Sequence, residues 1–325
     1  MIPYDLSLIH IFGIFEVMSK KILTKVNNTR QLGIVLIVAA FFSAMFLTND
    51  VALITLVPFG LLVLKNVGKM KYAAFLVSLL TVAANIGSML TPFGNPQNLY
   101  LYSFYQFKGA EFFRITLPVT VFAFCVIIVA GFFLKKEEIK IRDGEENEFA
   151  KKKELLIYGV LFFLCVLSVF RIIHYAVLVI VLCSVVFFLN KGLFKKVDYG
   201  LLGTFVCFFI FAGNMGNIEQ IRLWILEIIE GRIMLAGILT SQIISNVPAA
   251  ILLSGFTENG MELVLGTNIG GLGTFVASLA SLISYKLYRK SEDGRPGRYL
   301  AVFTAVNAVV LILLTGFVFL WYFAA

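Results

Sequence analysis

Residues 84–91 read Ala-Asn-Ile-Gly-Ser-Met-Leu-Thr, and residues 267–274 read Thr-Asn-Ile-Gly-Gly-Leu-Gly-Thr. Both copies place Asn-Ile-Gly ahead of a Thr at the same spacing, Asn85 to Thr91 and Asn268 to Thr274. A lone Asn-Ile-Gly carries no information. These two gain weight from what precedes them. The apolar stretch 32–64 is interrupted by Thr48-Asn49-Asp50, and the apolar stretch 233–256 by Ser245-Asn246. A helix needs about 20 apolar residues to cross a bilayer. The arms beside the first interruption hold 16 and 14 residues, and those beside the second hold 12 and 10. Arms this short read as re-entrant hairpins, over 31–67 and 233–257. The alternative for the second is one span kinked at Pro248.

Composition sets the surroundings. Of 325 residues, 60% are hydrophobic and 14% charged, and mean hydropathy is +0.93. A soluble domain runs about 45–50% apolar and about 25% charged. A soluble enzyme, a disordered chain and a disulfide scaffold are excluded, and an all-α polytopic membrane protein remains. Cys125, Cys165, Cys183 and Cys207 sit in apolar runs without metal or redox spacing, and read as small buried apolar residues. The two histidines, His10 and His174, form no metal cluster. No nucleophile–base pair or phosphate loop is present, so no enzymatic activity and no cofactor beyond a coupling proton or sodium ion is expected.

The net charge of +8 is read as orientation, not as a nucleic-acid surface, because cytoplasmic loops of membrane proteins are rich in Lys and Arg. If both interrupted regions enter and leave on one side, the cytoplasmic loops hold 22 basic residues and the outside loops 5. A single span at 233–256 changes this to 17 against 10. The first figure favours two hairpins opening to opposite sides, with the C-terminus outside. Broken helices at matching positions of two inverted halves are the sequence mark of a secondary transporter. Four of the seven prolines (Pro58, Pro92, Pro96, Pro248) fall in these regions. Thr91-Pro92-Phe93-Gly94-Asn95-Pro96-Gln97-Asn98 frees backbone groups at membrane depth, tolerated only where protein or a water-filled cavity satisfies them.

The organisation expected is as follows. Residues 1–11 form a non-native segment, because Leu6 to Ile11 resemble a translated transposon-end sequencing adapter, and the native chain is expected to start further upstream. Residues 12–134 form a partial first repeat, with the hairpin 31–67, a broken helix 71–104 and a helix 115–134. Residues 135–154 are a cytoplasmic linker. Residues 155–325 form the second repeat, with helices 155–170, 174–190 and 200–213, the hairpin 233–257, a broken helix 263–286 and a helix 299–323. Residues 217–230 read as an interfacial amphipathic helix, with Ile218, Ile221, Trp224, Ile225 and Ile228 opposite Glu219, Arg222, Glu227 and Glu230.

The tips at Thr48-Asn49-Asp50 and Ser245-Asn246, with the motifs at Asn85 and Asn268, resemble the ion transporter superfamily. That group includes citrate and dicarboxylate permeases, arsenite permeases and a branch of sodium/proton antiporters. The resemblance runs from about Phe12 to the C-terminus. It implies substrate held between hairpin tips and unwound helices, a homodimer in a bacterial inner membrane surrounded by lipid, and an elevator-type movement. The dicarboxylate branch resembles Ser-Asn-Thr at both tips. Here the first tip ends in Asp50, as in the arsenite and sodium/proton branches, and the second continues into Val247.

For the residues themselves, Asn49 and Asp50 are expected to cap a helix starting near Val51, and Asn246 one starting at Val247. Helix N-termini at the tips favour an anion. Unwound carbonyls near Gly87, Ser88, Gly270 and Gly271 are candidate sodium ligands. Thr48, Asn85, Thr91, Asn95, Asn98, Ser245, Asn268 and Thr274 supply neutral polar groups. Asp50 stands out, since the other 18 acids fall in loops or at membrane edges. A carboxylate at mid-membrane costs about 2.5–3.5 kcal/mol on insertion scales, so it is protonated or paired for part of a cycle. The function expected is secondary active transport of a small carboxylate or oxyanion, coupled to protons or sodium. A sodium/proton antiporter is the alternative, and a passive channel a third.

Overall fold

A computed structural model describes residues 26–139, 152–189, 191–196, 199–291 and 295–323. The expected segment 1–11 and positions 140–151 of the linker lie outside the described residues. The chain is helical, and the only extended pairing among the described residues is a bridge between Asn28 and Glu138. The helices are α1 (Thr29–Leu47), α2 (Asn49–Asn66), α3 (Ala73–Met89), α4 (Pro96–Phe104) and α5 (Gly109–Gly131). Then come α6 (Lys152–Val169), α7 (Tyr175–Leu189), α8 (Tyr199–Asn217) and α9 (Glu219–Ile229). The chain ends with α10 (Ile233–Ile244), α11 (Asn246–Ser254), α12 (Gly260–Gly270), α13 (Leu279–Arg289) and α14 (Pro296–Val318). Five described stretches are long and apolar enough to cross a membrane: α1, α2, Met70–Met89 with α3, α5, and Pro296–Phe323 with α14. The fold is an all-α polytopic membrane protein.

Both interrupted regions are helix–turn–helix pairs, and both breaks fall where the sequence placed them. The arms differ from expectation in one respect. The first pair has arms of 19 and 18 residues, each long enough to cross, while the second has arms of 12 and 9. The reason is that polar end residues such as Thr29, Asn49 and Asn66 join the helices, whereas an apolar count stops short of them.

The same packing recurs in each half. In the first, α1 crosses α3 where Gly87 meets Phe41, and a Cβ there would lie 2.0 Å from the Phe41 carbonyl oxygen. In the second, α10 crosses α12 where Gly270 meets Ile238 and Ser241, at 3.0 and 2.7 Å. One residue offset relates Phe41 to Ile238 and the first tip to the second. Another relates Gly87 to Gly270. Helix α3 is the axis of the bundle, with 89% of its span buried against 28% for that of α14. It packs on α1, α2, α5, α13 and α14.

One surface reading is corrected. Cys125, Cys183 and Cys207 are exposed and Cys165 half-buried, all four free. Their helices turn an apolar face outward, and in a membrane such a face needs no protein cover. Helix α9 buries Ile225 and Ile229 but leaves Ile218, Trp224 and Ile228 exposed. Two of its apolar residues thus pack on the protein, and the other three stay open on the surface, as an interfacial helix leaves them. The side chain of Ile221 lies outside the described residues.

The end of the first half folds back on its beginning. Thr29 N–H donates to the Glu137 carbonyl at 2.9 Å, Ile139 N–H to that of Asn27 at 3.0 Å, and Arg30 Nε to that of Leu134 at 2.9 Å. The Glu137 carboxylate gathers Lys69 Nζ at 2.6 Å, Lys71 Nζ at 2.5 Å and the Tyr72 hydroxyl. Hydrogen bonds from Lys69, Lys71 and Tyr72 lower its pKa to about 2.

Gly87→Ala is expected to cost about 1–3 kcal/mol or to prevent folding, because only backbone stands in the way of the methyl. Gly316→Ala, with nothing within 4 Å of the added carbon, should be neutral or stabilise by about 0.5–1 kcal/mol. Thermal unfolding in detergent measures both. For Glu137, the lowered folded-state pKa means its contribution is full above about 4.5, the unfolded value, and is lost as pH falls from there toward 2. Melting temperature should drop across that window, and by less in Glu137→Gln.

Candidate functional site

The two tips turn with the same unusual backbone. Thr48 has φ 81° and ψ 153°, and Ser245 has φ 76° and ψ 153°. This region is essentially reserved for glycine and costs about 1–3 kcal/mol per residue. Finding it at both tips, on residues with a Cβ, marks the turns as held from outside. What holds them is the broken segment of the same half. Asn49 N–H donates to the Gly94 carbonyl at 3.3 Å, and Asn246 N–H to the Ala277 carbonyl at 2.9 Å. Thr91 Oγ1 donates to the Met45 carbonyl at 2.7 Å, and Thr274 Oγ1 to the Gln242 carbonyl at 3.2 Å. Each contact in one half has its counterpart in the other.

The halves then join crosswise. Asn95 Nδ2 donates to Asn268 Oδ1 at 3.2 Å, and the Ser278 hydroxyl donates to Asn85 Oδ1 at 3.3 Å. Asn49 Nδ2 also donates to Asn85 Oδ1, at 3.0 Å, and Asn268 Nδ2 to Asn98 Oδ1, at 2.6 Å. Asn49, Asn85, Asn95, Asn98, Asn246 and Asn268 are all buried. Helices α2, α4, α11 and α13 all begin here, so four positive dipole ends meet around one cluster of amides. The Asp50 carboxylate sits in the first turn of α2, with Oδ1 buried and without a hydrogen-bond partner.

The expected caps are corrected. Helix α2 starts at Asn49 and α11 at Asn246, with Thr48 and Ser245 in the capping positions and no capping side-chain bond in either. Asn49 Oδ1 reaches only the Asp50 amide, at 3.0 Å. The tip conformation sends the Asn49 and Asn246 amide protons to the broken segments instead. The helix breaks also come later than expected. Gly87 and Ser88 are still helical, and so is Gly270. The Ser88 carbonyl accepts from both Asn95 and Asn98 at 3.3 Å, and the Gly270 carbonyl accepts from Gln242 at 2.8 Å. The Gly271 carbonyl receives only a long 3.5 Å approach from Asn85 Nδ2. Thr274 is exposed, unlike Thr91.

One residue escaped the sequence reading. Gln242 donates to the carbonyls of Gly270 and Leu272, at 2.8 and 2.9 Å, and accepts from the Thr274 amide at 2.8 Å. In the first half the corresponding position is Met45, and Asn98 does this work. Its Nδ2 donates to the carbonyls of Ser88, Met89 and Thr91 at 3.1–3.3 Å. A lone Gln near the end of an apolar arm was the available signal. With Met at the matching place, no repeat pointed to it.

A membrane-embedded repeat whose tips and broken helices exchange hydrogen bonds across its centre defines an integral membrane transporter. The sequence model of the citrate transporter family matches residues 7–262, and the chain belongs to that family. An uncharacterised transporter of Methanocaldococcus jannaschii is 32% identical over 93% of this chain and 82% of its own. The inner membrane protein YbiR of Escherichia coli is 26% identical over 86% and 75%. A Dictyostelium discoideum protein bearing the transporter name arsB is 25% identical over 42% and 24%.

Gln242→Met should lower stability by about 1–3 kcal/mol, since it leaves partly buried carbonyls without donors. Thr274→Val should cost less, about 0.5–1.5 kcal/mol, for one exposed bond. Detergent melts compare the two. Equal effects would show that Gln242 does not hold the second broken segment.

Proposed function

We infer that this chain is a secondary active transporter that moves a small anion, a carboxylate or oxyanion, across a bacterial inner membrane, coupled to protons or sodium. The observation that carries the reading is the meeting of four helix N-termini around buried amides with no lysine, arginine or histidine among the described residues of the cluster. Helix starts attract negative charge without a fixed cation, which suits a ligand that must also leave. Asn49, Asn246, Thr48, Ser245, Thr91 and the Asn85/Asn268 pair are the groups assigned to the anion. The Gly271 carbonyl supports a sodium role for the second broken segment. At the first, the Ser88 carbonyl would have to exchange its amide partners for the ion. The two hairpins are read as re-entrant, with the C-terminus outside. Exposed apolar side chains on α6 and α7, such as Phe163, Ile180 and Phe188, suit lipid or a second copy in a homodimer.

Asp50 favours a second reading. A buried carboxylate oxygen without a partner also suits a sodium/proton antiporter, in which Asp50 exchanges the two cations. One experiment separates these. The full-length protein is reconstituted in liposomes and given labelled citrate, succinate, arsenite or sodium, with and without pH and sodium gradients. Anion accumulation driven by a gradient is the expected result. Sodium/proton exchange with no anion flux selects the antiporter, and equilibration without accumulation selects a passive channel. Asp50→Asn should abolish gradient-driven accumulation while leaving exchange of bound substrate. Full pH- and sodium-dependent transport in that variant removes Asp50 from coupling.

A further inference from the structure

Away from the central site, α13 carries a second polar stripe. Ser281, Ser284 and Tyr288 follow Ser278 at helical spacing on one face, and all four are buried. The Oγ atoms of Ser281 and Ser284, each in a residue with 0% exposure, have no hydrogen-bond partner. A matching stripe on α3 holds Ser78, Thr81 and Asn85, also buried. The two helices pack on each other, and both on α14. At the central end Ser278 bonds Asn85. At the other end Tyr288 stacks on Tyr299 of α14, centroids 4.7 Å apart. The Tyr299 hydroxyl is buried without a hydrogen-bond partner. Farther along α14, Asn307 is wholly buried with Oδ1 unpartnered. The Tyr288 hydroxyl accepts from the Arg295 amide at 3.4 Å, and the exposed Lys286 and Arg289 stand in the last turn of the same helix.

Buried polar atoms are nearly always satisfied, and exceptions call for an explanation. Serines in helices commonly bond the carbonyl four residues back, as Ser78 does with Ala74 at 2.8 Å. Ser281 and Ser284 do not. A line of hydroxyls open to new partners, between the central amides and a basic end, is the lining that water needs.

We propose that the seam between α3, α13 and α14 is a water-filled branch joining the central site to the end of the bundle that carries Lys286, Arg289 and Arg295, and that protons travel along it. Its role in coupling rests on the transport reading above. Hydroxyls and water both donate and accept, so each step breaks one O–H bond and forms the next; one proton advances, and the hydroxyls and waters then turn back to their first orientation. The buried faces of α3, α13 and α14 hold no carboxylate or ammonium among the described residues; α2, which also packs on α13, brings Asp50 to the central end of the path.

The test starts from the full-length protein with its four described cysteines replaced by serine. Ser281→Cys, Ser284→Cys and Ala83→Cys are then treated with a small charged methanethiosulfonate. Ala83 is equally buried, on the face of α3 opposite Ser78, Thr81 and Asn85, so general opening of the bundle exposes all three alike. The serine positions should react about tenfold or more faster, and rates equal to that of Ala83→Cys overturn the water-filled branch. In liposomes under an imposed pH gradient, Ser284→Ala should slow proton entry roughly tenfold, the scale set by one hydrogen bond. Unchanged entry overturns the conducting role. Labelling needs no transport, so a dry seam fails this proposal alone. Fast labelling in a protein that moves no solute fails the transport reading instead.

Discussion

The crosswise bonds Asn95–Asn268 and Ser278–Asn85 are the constraint on which the centre of the molecule depends. Each broken helix carries, in its last turn or just before it, a buried asparagine that its own half does not fully satisfy. An unpaired buried amide costs about 1–3 kcal/mol, and lipid offers no substitute partner. Each half therefore completes the other. The pairing also fixes where the loops lie, since Asn95 begins α4 and Ser278 begins α13. The helix starts that define the site are placed by bonds that cross from one repeat to the other.

The strained tips follow from the same arrangement. Thr48 and Ser245 hold a glycine-like conformation at a cost that only external contacts can offset. Those contacts are the Asn49 and Asn246 amides reaching the Gly94 and Ala277 carbonyls, one residue before Asn95 and Ser278. Tip and crosswise bond are thus adjacent links. The Asn49 side chain is drawn into the same network, its Nδ2 donating to Asn85 while its oxygen caps no later amide of α2.

What the sequence revealed, and what it hid, has a physical reason. Polar residues in the middle of apolar stretches must be satisfied internally, so the tips and the Asn-Ile-Gly motifs stood out. Tips and motifs also repeated, which made the pairing legible. Gly87 and Gly270 were seen, but their purpose was not. They read as candidate ion ligands, whereas packing uses them for close helix crossings at Phe41 and Ile238. No periodicity distinguishes a glycine that frees a carbonyl from one that admits a neighbouring backbone. Gln242 stayed hidden because its function is divided differently in the first half. The exposed cysteines misled because burial was judged as for a soluble protein, in which apolar means inside.

That uneven division separates the two halves mechanically. In the first, the loop after α3 is held mainly by Asn98, which belongs to the helix that follows the loop. Only the Thr91–Met45 and Asn49–Gly94 bonds tie that loop to its hairpin. In the second, Gln242 belongs to the hairpin itself and grips Gly270, Leu272 and Thr274 together. The second tip cannot part from its broken segment without breaking these bonds as well as those of Thr274 and Asn246. Near-symmetry of backbone therefore coexists with unequal attachment. The first tip, which carries Asp50, is joined to its broken helix by fewer hydrogen bonds than the second.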